Sequence, residues 1–414
     1  MRILIAAMAC HPTRGSEAKF GWDAAQAVAE FADCHVITHE DNRADITEHQ
    51  VHTDQPNPCF HFLGNRHTWH PSRLVARLQS WIIFSKWQRS MFSFCLTLHA
   101  RQGFDIVHHV TYATWRVPSP LWKLPIPFIW GPIGGASTTP IAFYQVLGQS
   151  SRSFETLRSA SNLLTRFSPA FKASVRNAAV VLAAESETAS FLSKQRGKDD
   201  VRTVCPAFFS QQQIDYLSCH MRTSNMVGPL RVFGGGNLEG RKGVALALYA
   251  LAKLKKNGIE TIYTLGGSGP ERSHLEQLAA KLGISDSVEF TEGFTGDAYR
   301  DQLAATDVYL LPSLRETAGI TMMEAMLAGC YAVVLSGTGA GEIVERTAGA
   351  ALSAADPEEA IAKIFEQLVW CHFHRREMLE VALLGSEKIR SLYSKEAYQK
   401  AIFEAYAEAI ESYR

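Results

Sequence analysis

Short apolar runs alternate with longer amphipathic segments along the chain. The first run is Ile3–Cys10, and a helical pattern follows from Ser16 to about Ala32. Runs of about four to eight apolar residues are typical of buried strands. Strands that alternate with helices need crossover connections, which predicts parallel sheets. The other strands predicted in the first half are His35–Thr38, Asp105–Val110, Pro127–Trp130, Ala179–Ala183 and Val201–Cys205.

The second half twice repeats a strand, a glycine-rich turn and a helix. Leu230–Phe233 precedes Gly234-Gly235-Gly236, and Thr261–Leu265 precedes Gly266-Gly267-Ser268-Gly269. In open parallel sheets, ligands bind outside the carboxyl ends of the strands, where these turns lie. Further strands are predicted at Val288–Phe290, Val308–Leu311 and Ala332–Leu335, and helices at 357–390 and 395–413.

The length of the chain suits two domains. It has 414 residues, and single cores stop growing at about 250–300 residues. The stretch 208–228 is polar and contains Gly228-Pro229 near its end, which is typical of a linker. We therefore predict an α/β protein with doubly wound domains at 1–207 and 229–390, separated by a linker at 208–228.

Charge is balanced over the whole chain but not locally. The 41 basic and 41 acidic residues give no global excess that would favour nucleic acid. Residues 55–184, however, include thirteen Lys or Arg and only two acids, Asp105 and Glu155. The net charge of this stretch is therefore +11. The segment 66–101 is both basic and aromatic, with Trp81 and Trp87 on a predicted helix. It is either a helix that rests on an anionic membrane or a core helix with solvated arginines.

Cysteine usage and the apolar runs limit the class of protein. The eight cysteines form no C-x-x-C pair, which argues against a structural zinc and a disulfide framework. The first apolar run is too short for a secretion signal, and no run approaches the roughly 18 residues that span a bilayer. We expect a reduced, cytoplasmic protein, either free in the cytoplasm or peripheral on the inner face of the membrane.

Two acids lie around a predicted helix start in the second half. A strand ends at Pro312, a loop carries Glu316, and a helix with Glu324 begins near Gly319. Glycine lets a ligand approach the backbone, and the amides of residues 318–320 at a helix start favour phosphate. One carboxylate would then reach a sugar and the other a ribose diol. The alternative is that both are ordinary surface acids.

The turn after Leu230–Phe233 ends in two cations. Arg241 and Lys242 follow the glycines, and a departing diphosphate needs such charge. The loop is not a Walker loop, because Lys242 is followed by glycine. An ordinary turn with exposed cations is the alternative. The turn at residues 266–271 lacks G-x-G-x-x-G spacing, which disfavours a dinucleotide redox site.

The first half also has loops at predicted strand ends. His11–Glu17 follows the first strand, and the glycine-rich loop Gly131–Ala136 follows Pro127–Trp130. His108 and His109 are adjacent on one strand, so their side chains point to opposite faces and at most one faces a cleft. A buried structural histidine is the alternative.

These motifs resemble those of the retaining glycosyltransferases of family 4, which have the GT-B fold. Glu316-x7-Glu324 matches the E-x7-E motif of that family, and Arg241-Lys242-Gly243 matches its R-K-G. The resemblance is strong over residues 230–346 and looser over 1–205. It implies two Rossmann-like domains that face a cleft, with the helix at 391–414 crossing back onto the N-terminal, acceptor-binding domain.

The resemblance also implies roles for individual residues. Glu316, Lys242 and His109, or less probably His108, would be catalytic. Asn237 departs from the family, which often has an arginine there, and His108-His109-Val110 departs from its H-x-H. The residues expected to bind the donor are Arg241, Glu324, Gly319, Ile320, Ala318, Phe294, Gly236, Asn237 and Gly267, and those expected in acceptor-side loops are Gly15, Ser16, Gly134 and Gly135.

The activity implied is transfer of a hexose-type sugar, with retained configuration, from a nucleoside-diphosphate sugar. The sequence has no D-x-D, so we expect neither a metal nor a cofactor, only the nucleotide sugar as co-substrate. The expected acceptor is a glycan or a lipid-linked glycan, in bacterial surface polysaccharide synthesis. The alternatives are a catalytically degenerate, membrane-docked subunit that binds nucleotide sugars, and an epimerase or phosphorylase on the same fold.

Overall fold

The computed structural model describes residues 1–51, 57–65, 73–219 and 228–413. The elements as far as the middle of the chain are β1 (Arg2–Ala7), α1 (Ser16–Ala29), β2 (Asp33–His39), α2 (Arg43–Val51), β3 (Cys59–Leu63), α3 (Arg73–Gln102), β4 (Ile106–Thr111), β5 (Phe128–Ile133), α4 (Gln149–Thr165), α5 (Pro169–Asn177), β6 (Val180–Ala183), α6 (Ser186–Arg196), β7 (Arg202–Thr203) and α7 (Gln211–Ser218). They continue with β8 (Leu230–Gly235), α8 (Val244–Lys256), β9 (Thr261–Gly266), α9 (Arg272–Lys281), β10 (Val288–Thr291), α10 (Gly296–Ala304), β11 (Val308–Leu311), α11 (Ile320–Leu327), β12 (Tyr331–Leu335), α12 (Gly339–Arg346), β13 (Ala350–Leu352), α13 (Pro357–Phe373), α14 (Arg375–Leu392) and α15 (Lys395–Tyr413).

The first of two compact units is built on a parallel seven-stranded sheet. It contains Met1–Ala136, Asn162–Phe208 and the chain from Lys395 onwards. The strand order is β3-β2-β1-β4-β5-β6-β7, so the chain winds outwards in both directions from the β1–β4 pair. Side chains alternate between the faces of a strand, and each face of this sheet carries its own hydrophobic core. This is the doubly wound arrangement that the sequence predicts.

The second unit repeats the arrangement with six strands. It contains Ser137–Ser161 and Phe209–Ser394, and its strand order is β10-β9-β8-β11-β12-β13. All the strand pairs are parallel, and their apolar side chains pack against α8 and α13 in one core. The carboxyl ends of β8, β9 and β10 therefore lie side by side at one edge of the sheet.

Each predicted strand overlaps a strand of the structure, and the differences are the end of β1 and two edge strands. β1 ends at Ala7, although the apolar run continues to Cys10. The edge strands β3 and β13 were not predicted from the sequence. β3 contains His61, and four of its five residues are only half-buried, so its apolar pattern is weak. β13 has only three residues.

The boundary between the units differs from the predicted one. Residues 137–161 follow β5 in sequence but pack with the second unit, because Phe143 and Leu147 enter its core. Part of the predicted linker at 208–228 is the helix α7, which buries Ile214 and Leu217 in the second unit. Residues 220–227 lie outside the described part of the chain.

The last helix, α15, packs in the first unit. It contacts α1 and strands β4, β5 and β6, and it buries Tyr398, Ile402 and Tyr406. The chain thus returns to the unit in which it began, which is the crossing that the family resemblance implies.

The basic and aromatic segment at 66–101 is largely a core helix. Phe84, Trp87 and Met91 of α3 are buried in the first unit, whereas Trp81 and Ile82 are exposed. The core interpretation therefore accounts for most of the aromatic stripe. Residues 66–72, which belong to the predicted membrane surface, lie outside the described residues. Among the helices that the structure describes, none combines the length and hydropathy required to cross a bilayer.

Candidate active site

The carboxyl ends of three strands in the second unit surround a cavity of about 500 Å³. The turns after β8, β9 and β10 form one side of it, and the start of α11 forms the other. The cavity is lined by Phe233, Gly235, Gly236, Asn237, Gly266, Gly267, Ser268, Glu292, Gly293, Phe294, Tyr299, Tyr309, Thr321 and Glu324. Five residues expected to bind a donor therefore share one cavity: Gly236, Asn237, Gly267, Phe294 and Glu324.

Glycine is required where the first two turns touch. A Cβ on Gly267 would lie 2.0 Å from the carbonyl oxygen of Gly236, and the φ of Gly267 is +139°. No L side chain fits that contact, and few adopt that backbone conformation. The part of the cavity formed by these two turns is therefore lined by backbone atoms rather than by side chains.

Glu324 lies in the cavity wall on α11, and its side chain has a partner. The Tyr299 hydroxyl donates a hydrogen bond of 2.9 Å to Oε2 of Glu324. Burial raises the pKa of Glu324, and the Tyr299 hydrogen bond partly offsets this rise. Tyr299 lies on α10, and no spacing motif in the sequence links it to Glu324. A carboxylate with one oxygen already fixed leaves the other available to a ligand hydroxyl.

An aromatic cluster lies beside this carboxylate. Phe233 packs edge-on against Phe294, Tyr299 and Tyr309, with ring centroids 5.6–6.4 Å apart. Phe294, the residue expected to flank the nucleotide base, follows β10 and lines the cavity. Aromatic side chains that line a cavity can hold a planar ring by stacking or edge contact.

Lys242 and Glu316 form a half-buried ion pair in the same unit. Lys242 Nζ donates to Oε2 of Glu316, and their side chains are 13% and 12% exposed. The Ser313 hydroxyl and the Arg241 guanidinium also approach Oε2, at 3.3 and 3.5 Å. Burial alone raises the pKa of Glu316, but the two cations more than compensate and hold it below its ordinary range. Glu316 is therefore ionised at neutral pH.

The backbone brings Lys242 to Glu316. Lys242 ends a 3-10 turn at Gly240–Lys242, and Gly243 follows with a φ of +64°. A Cβ on Gly243 would lie 2.0 Å from the carbonyl oxygen of Pro312. The R-K-G segment thus packs directly on the loop that carries Glu316, although 74 residues separate the ion pair in sequence.

Tyr309 connects the two acids of the E-x7-E motif. Its hydroxyl donates to Oγ1 of Thr321 at 2.7 Å, in the first turn of α11. Burial raises the pKa of Tyr309, and the charges of Glu324 and Glu316 raise it further. Both carboxylates therefore act on one hydroxyl. Lys242 and Glu316 are in direct contact, and Glu324 lies on α11, the helix that follows the loop of Glu316.

Gly319 begins α11 in the left-handed region, with a φ of +70°. A Cβ there would lie 2.9 Å from the side chain of Leu311. The first amides of a helix have no partner within the helix, and the helix dipole adds partial positive charge. The backbone at Ala318, Gly319 and Ile320 therefore has the predicted position for holding an anion.

Glu239 is a site residue that the sequence did not reveal. It accepts hydrogen bonds from Nδ2 of Asn237 at 3.0 Å and from Nε of Arg241 at 2.7 Å. Asn237 is the position where the resembling family often has an arginine. Glu239 also removes part of the positive charge that Arg241 offers, since the two form an ion pair. Lys242 is thus the principal cation of the loop.

The histidines on β4 are fully buried in the first unit. The Nε2–H group of His108 donates a hydrogen bond of 2.8 Å to the Gly131 carbonyl oxygen, and Nδ1 lies 3.0 Å from the Tyr406 hydroxyl. This is the structural alternative considered for His108. His109 lies on the opposite face of the strand, and burial and the neighbouring His108 lower its pKa to about 3. Its ring is therefore neutral.

The four residues expected in acceptor-side loops all lie in the first unit. Gly15 is the N-terminal cap of α1, with a φ of +57°, and Ser16 is the first residue of that helix. Gly134 and Gly135 follow β5, and the Gly135 carbonyl accepts a hydrogen bond of 2.7 Å from Arg116. Gly134 and Gly135 thus lie directly after a strand, whereas Gly15 and Ser16 lie at the start of α1, eight or more residues after β1 ends.

The protein has two doubly wound parallel sheets, and a cavity lined by glycines lies at the strand ends of the second sheet. This arrangement is the GT-B glycosyltransferase fold. Residues 228–381 match the family model described as "Glycosyl transferases group 1". This stretch contains both acids of the E-x7-E motif, Lys242 and the whole cavity.

Individual relatives are similar over parts of their length. The 2-deoxystreptamine glucosyltransferase of Streptomyces kanamyceticus is 35% identical over 94 residues, 23% of this chain and 24% of the relative. The GDP-mannose-dependent alpha-(1-6)-phosphatidylinositol dimannoside mannosyltransferase of Mycobacterium tuberculosis is 35% identical over 136 residues, 32% and 34% of the two chains. The aligned part of this chain spans about a quarter to a third of these relatives.

The fold is also that of solved structures with distant sequences. Sucrose-phosphate synthase from Thermosynechococcus elongatus superposes over 100% of both chains, with a TM-score of 0.68 and 16% sequence identity. The whole chain, and not only the second unit, therefore has this architecture.

Proposed function

We propose that the protein is a retaining glycosyltransferase that moves a hexose-type sugar from a nucleoside-diphosphate sugar to a glycan or lipid-linked glycan. The observation that carries the proposal is the strand-end cavity with Glu324 in its wall, next to the half-buried Lys242–Glu316 pair. The family match over residues 228–381 supports the same activity. The names of the relatives, a glucosyltransferase and a GDP-mannose-dependent mannosyltransferase, fit a hexose donor.

The donor would lie along the cavity in a defined order. The base would rest beside Phe294, and the ribose diol would donate to Glu324, whose other oxygen Tyr299 holds. The diphosphate would extend towards Lys242 and the backbone amides at Gly319, since cations and helix starts stabilise anions. The sugar hydroxyls would donate to Glu316, which its two cations keep ionised.

Catalysis would rest on stabilising the leaving diphosphate. As the bond between the anomeric carbon and the phosphate oxygen breaks, negative charge grows on the diphosphate and positive charge on the sugar. Lys242 would take a phosphate oxygen as a further partner, and one such donor contributes about 10²–10³ in rate. The acceptor hydroxyl would attack from the leaving-group side, forming the new glycosidic bond and passing its proton to the released phosphate oxygen.

The electrostatics need no metal ion in this scheme. Lys242, Arg241 and the helix-start amides supply the positive charge that a bound divalent cation otherwise supplies. We expect transfer to persist when divalent cations are chelated. A requirement for added Mg²⁺ or Mn²⁺ would contradict this part of the proposal.

Docking on an anionic membrane would bring a lipid-linked acceptor to the enzyme. In the first unit, Leu163, Leu164 and Phe167 at the end of α4 are 56%, 76% and 64% exposed. The cations of Arg166 and Lys172 lie 5.7 and 5.9 Å from the Phe167 ring centroid. Exposed apolar side chains with basic neighbours are typical of a surface that binds anionic lipid.

Vesicle flotation tests the docking surface. We expect the parent protein to float with anionic vesicles, and the double variant Leu164→Ser/Phe167→Ser to stay unbound at the bottom of the gradient. Phe373→Ser, at an equally exposed phenylalanine of the second unit, is the control. Equal binding to zwitterionic vesicles, or no loss in the double variant, would exclude this surface.

The experiment that tests the activity begins with the donor. A thermal-shift screen of UDP, GDP and ADP sugars identifies the nucleotide, because a ligand that binds the folded state raises its melting temperature. Transfer to saccharide and lipid-linked acceptors is then followed by NMR of the anomeric proton. A product with the donor's configuration supports the proposal. Binding without turnover would favour a degenerate subunit, and product formed without an acceptor or only with free phosphate would favour an epimerase or phosphorylase.

A further inference from the structure

A cluster of two histidines and a cysteine lies in the first unit, outside the proposed donor site. His35 is on β2, and Cys59 and His61 are on the edge strand β3. One ligand atom from each of the three residues lies within 4.8 Å of the other two. His35 Nδ1 is 3.1 Å from His61 Nε2, and Cys59 Sγ is 3.8 Å from the same nitrogen.

Strand register brings the three side chains together. β2 and β3 are parallel, with His35 opposite Cys59 and Ile37 opposite His61. Residues 59 and 61 are two apart on one strand, so their side chains point to the same face. His35 occupies that face on the neighbouring strand. The cluster lies where β2 and β3 begin, at the opposite end of the sheet from the strand carboxyl ends.

The spacing suits a tetrahedral metal ion. Zinc bonds of about 2.0–2.1 Å to nitrogen and 2.3 Å to sulfur place two nitrogens about 3.3 Å apart, and a nitrogen and a sulfur about 3.6 Å apart. The observed separations of 3.1 and 3.8 Å differ from those values by a few tenths of an ångström. Small side-chain rotations are enough to close such differences.

The carboxylate of Asp33 lies next to the ring of His35, on the side away from His61. If Nδ1 of His35 binds a metal, its other nitrogen, Nε2, faces Oδ1 of Asp33 at 3.5 Å. Arg2 holds the other oxygen of Asp33 in an ion pair of 2.7 Å. An ionised carboxylate behind a ligating imidazole fixes the ring and raises its basicity, as is common at metal sites.

The burial of the three side chains also fits a metal site. Neutral imidazole is the commonest side-chain ligand for a metal ion. His35 is buried, whereas Cys59 is exposed, which leaves an entry path and a side open to water. A thiol binds a metal ion as its thiolate, so Cys59 would lose its proton on binding.

We propose that His35, Cys59 and His61 form a Zn²⁺ site in which water completes the tetrahedron and Asp33 supports His35 from behind. The bound ion would fasten the edge strand β3 to β2. The donor set of two imidazoles and one thiolate also admits Co²⁺, which provides a spectroscopic probe. Without a metal, the cluster is a hydrogen-bonded histidine pair next to a free thiol.

Co²⁺ and Zn²⁺ titration of the full-length, reduced and chelator-treated protein tests the site. We expect one Co²⁺ per chain with a thiolate-to-cobalt charge-transfer band and tetrahedral ligand-field bands, all displaced by Zn²⁺. Cys59→Ser abolishes the charge-transfer band, and His61→Asn weakens Zn²⁺ binding at least tenfold. Asp33→Asn weakens it about 10–100-fold, as is typical of a residue behind a metal ligand.

Matched controls separate this site from unspecific binding. Cys219 is another exposed cysteine and His274 another exposed histidine, and both lie in the second unit. Cys219→Ser and His274→Asn should bind Co²⁺ as the parent protein does. Zn²⁺ should protect Cys59, but not Cys219, from alkylation, as read by peptide mass spectrometry.

The outcomes are decisive and do not depend on glycosyl transfer. An octahedral cobalt spectrum without the charge-transfer band, or equal Zn²⁺ affinity in the parent and the Cys59→Ser variant, would overturn the site. Circular dichroism checks that each variant is folded. Because the readouts are spectra, affinity and alkylation, they hold even if no sugar transfer is found.

Discussion

Glu155 and Arg315 form an ion pair of 2.8 Å between α4 and the residue just before Glu316. The Glu155 side chain is 3% exposed and that of Arg315 is 15% exposed. Thr139 donates a second hydrogen bond to Glu155, at 3.1 Å. The segment 137–161 is therefore fixed to the loop that carries the proposed catalytic carboxylate.

Removing one partner of this pair should be costly. Arg315→Met leaves a buried carboxylate without its cation, which typically lowers the free energy of unfolding by about 3–5 kcal/mol. The double variant Glu155→Met/Arg315→Met should lose less than the sum of the single variants. Urea denaturation measures both values. Arg376→Met, from an exposed pair with Glu380, is the control and should change stability by about 1 kcal/mol or less. Strictly additive losses would argue against coupling.

Lys242→Ala should reduce transfer by about 10²–10³ because the leaving diphosphate loses a positive donor. It also leaves Glu316 with only the more distant Arg241, so nucleotide affinity and kcat are measured separately. Lys255→Ala is the matched control, since Lys255 is an exposed lysine paired with Asp286 on the same unit. A Lys242→Ala enzyme with the parent kcat would remove Lys242 from the mechanism.

Tyr299→Phe should weaken binding of the nucleotide without unfolding the protein. It removes the hydrogen bond that orients Glu324, and hydrogen bonds to charged groups contribute about 1.5–3 kcal/mol. We expect the Kd for the nucleotide to rise about tenfold or more by calorimetry. Tyr216→Phe, which loses an exposed hydrogen bond to Asp297, should leave the Kd unchanged. The same Kd in both variants would mean that Tyr299 does not orient Glu324.

Gly243→Ala should disrupt the site more than its backbone conformation alone explains. The φ values of Gly243 and Gly258 are +64° and +73°, so alanine costs about 1–2 kcal/mol at either position. Only at Gly243 does a new Cβ meet a backbone oxygen, that of Pro312. We expect Gly258→Ala to retain transfer and Gly243→Ala to lose it, as measured at equal folded fractions. Equal transfer activities of the Gly243→Ala and Gly258→Ala variants would show that the loop at Pro312 moves to accommodate the new Cβ.

Ionisation of the two acids of the E-x7-E motif should change the stability of the fold in opposite directions. The pKa of Glu316 is lowered from 4.5 in the folded state, so its ion pair stabilises the fold above that pH and the contribution is lost as pH falls through the lowered value. The pKa of Glu324 is raised from 4.5, so its ionisation destabilises the fold above the raised value.

Substitution separates these contributions. Glu324→Gln should increase the free energy of unfolding at neutral pH while it removes nucleotide binding. Glu316→Gln should decrease that free energy and flatten its acid dependence. Urea denaturation across acid and neutral pH measures both. Changes of the same sign in the two variants would contradict the assigned environments.

Much of the architecture could be predicted from the sequence, because the alternation of apolar runs with amphipathic segments is a local signal. The predicted strands, the glycine turns and the start of α11 at Gly319 need only the residues near them. The E-x7-E spacing also predicts that Glu316 and Glu324 share one loop and helix, and in the structure Glu316 lies in the loop before α11 and Glu324 on that helix. The family resemblance added roles for these residues that spacing alone does not assign.

Only the tertiary structure decided which distant side chains meet. Tyr299 reaches Glu324 from another helix, Glu155 reaches Arg315 across 160 residues, and His35 meets Cys59 through strand register. Such contacts depend on which strands are neighbours and on where a segment such as 137–161 packs. That choice is made by burial over the whole core, and no short window of sequence contains it.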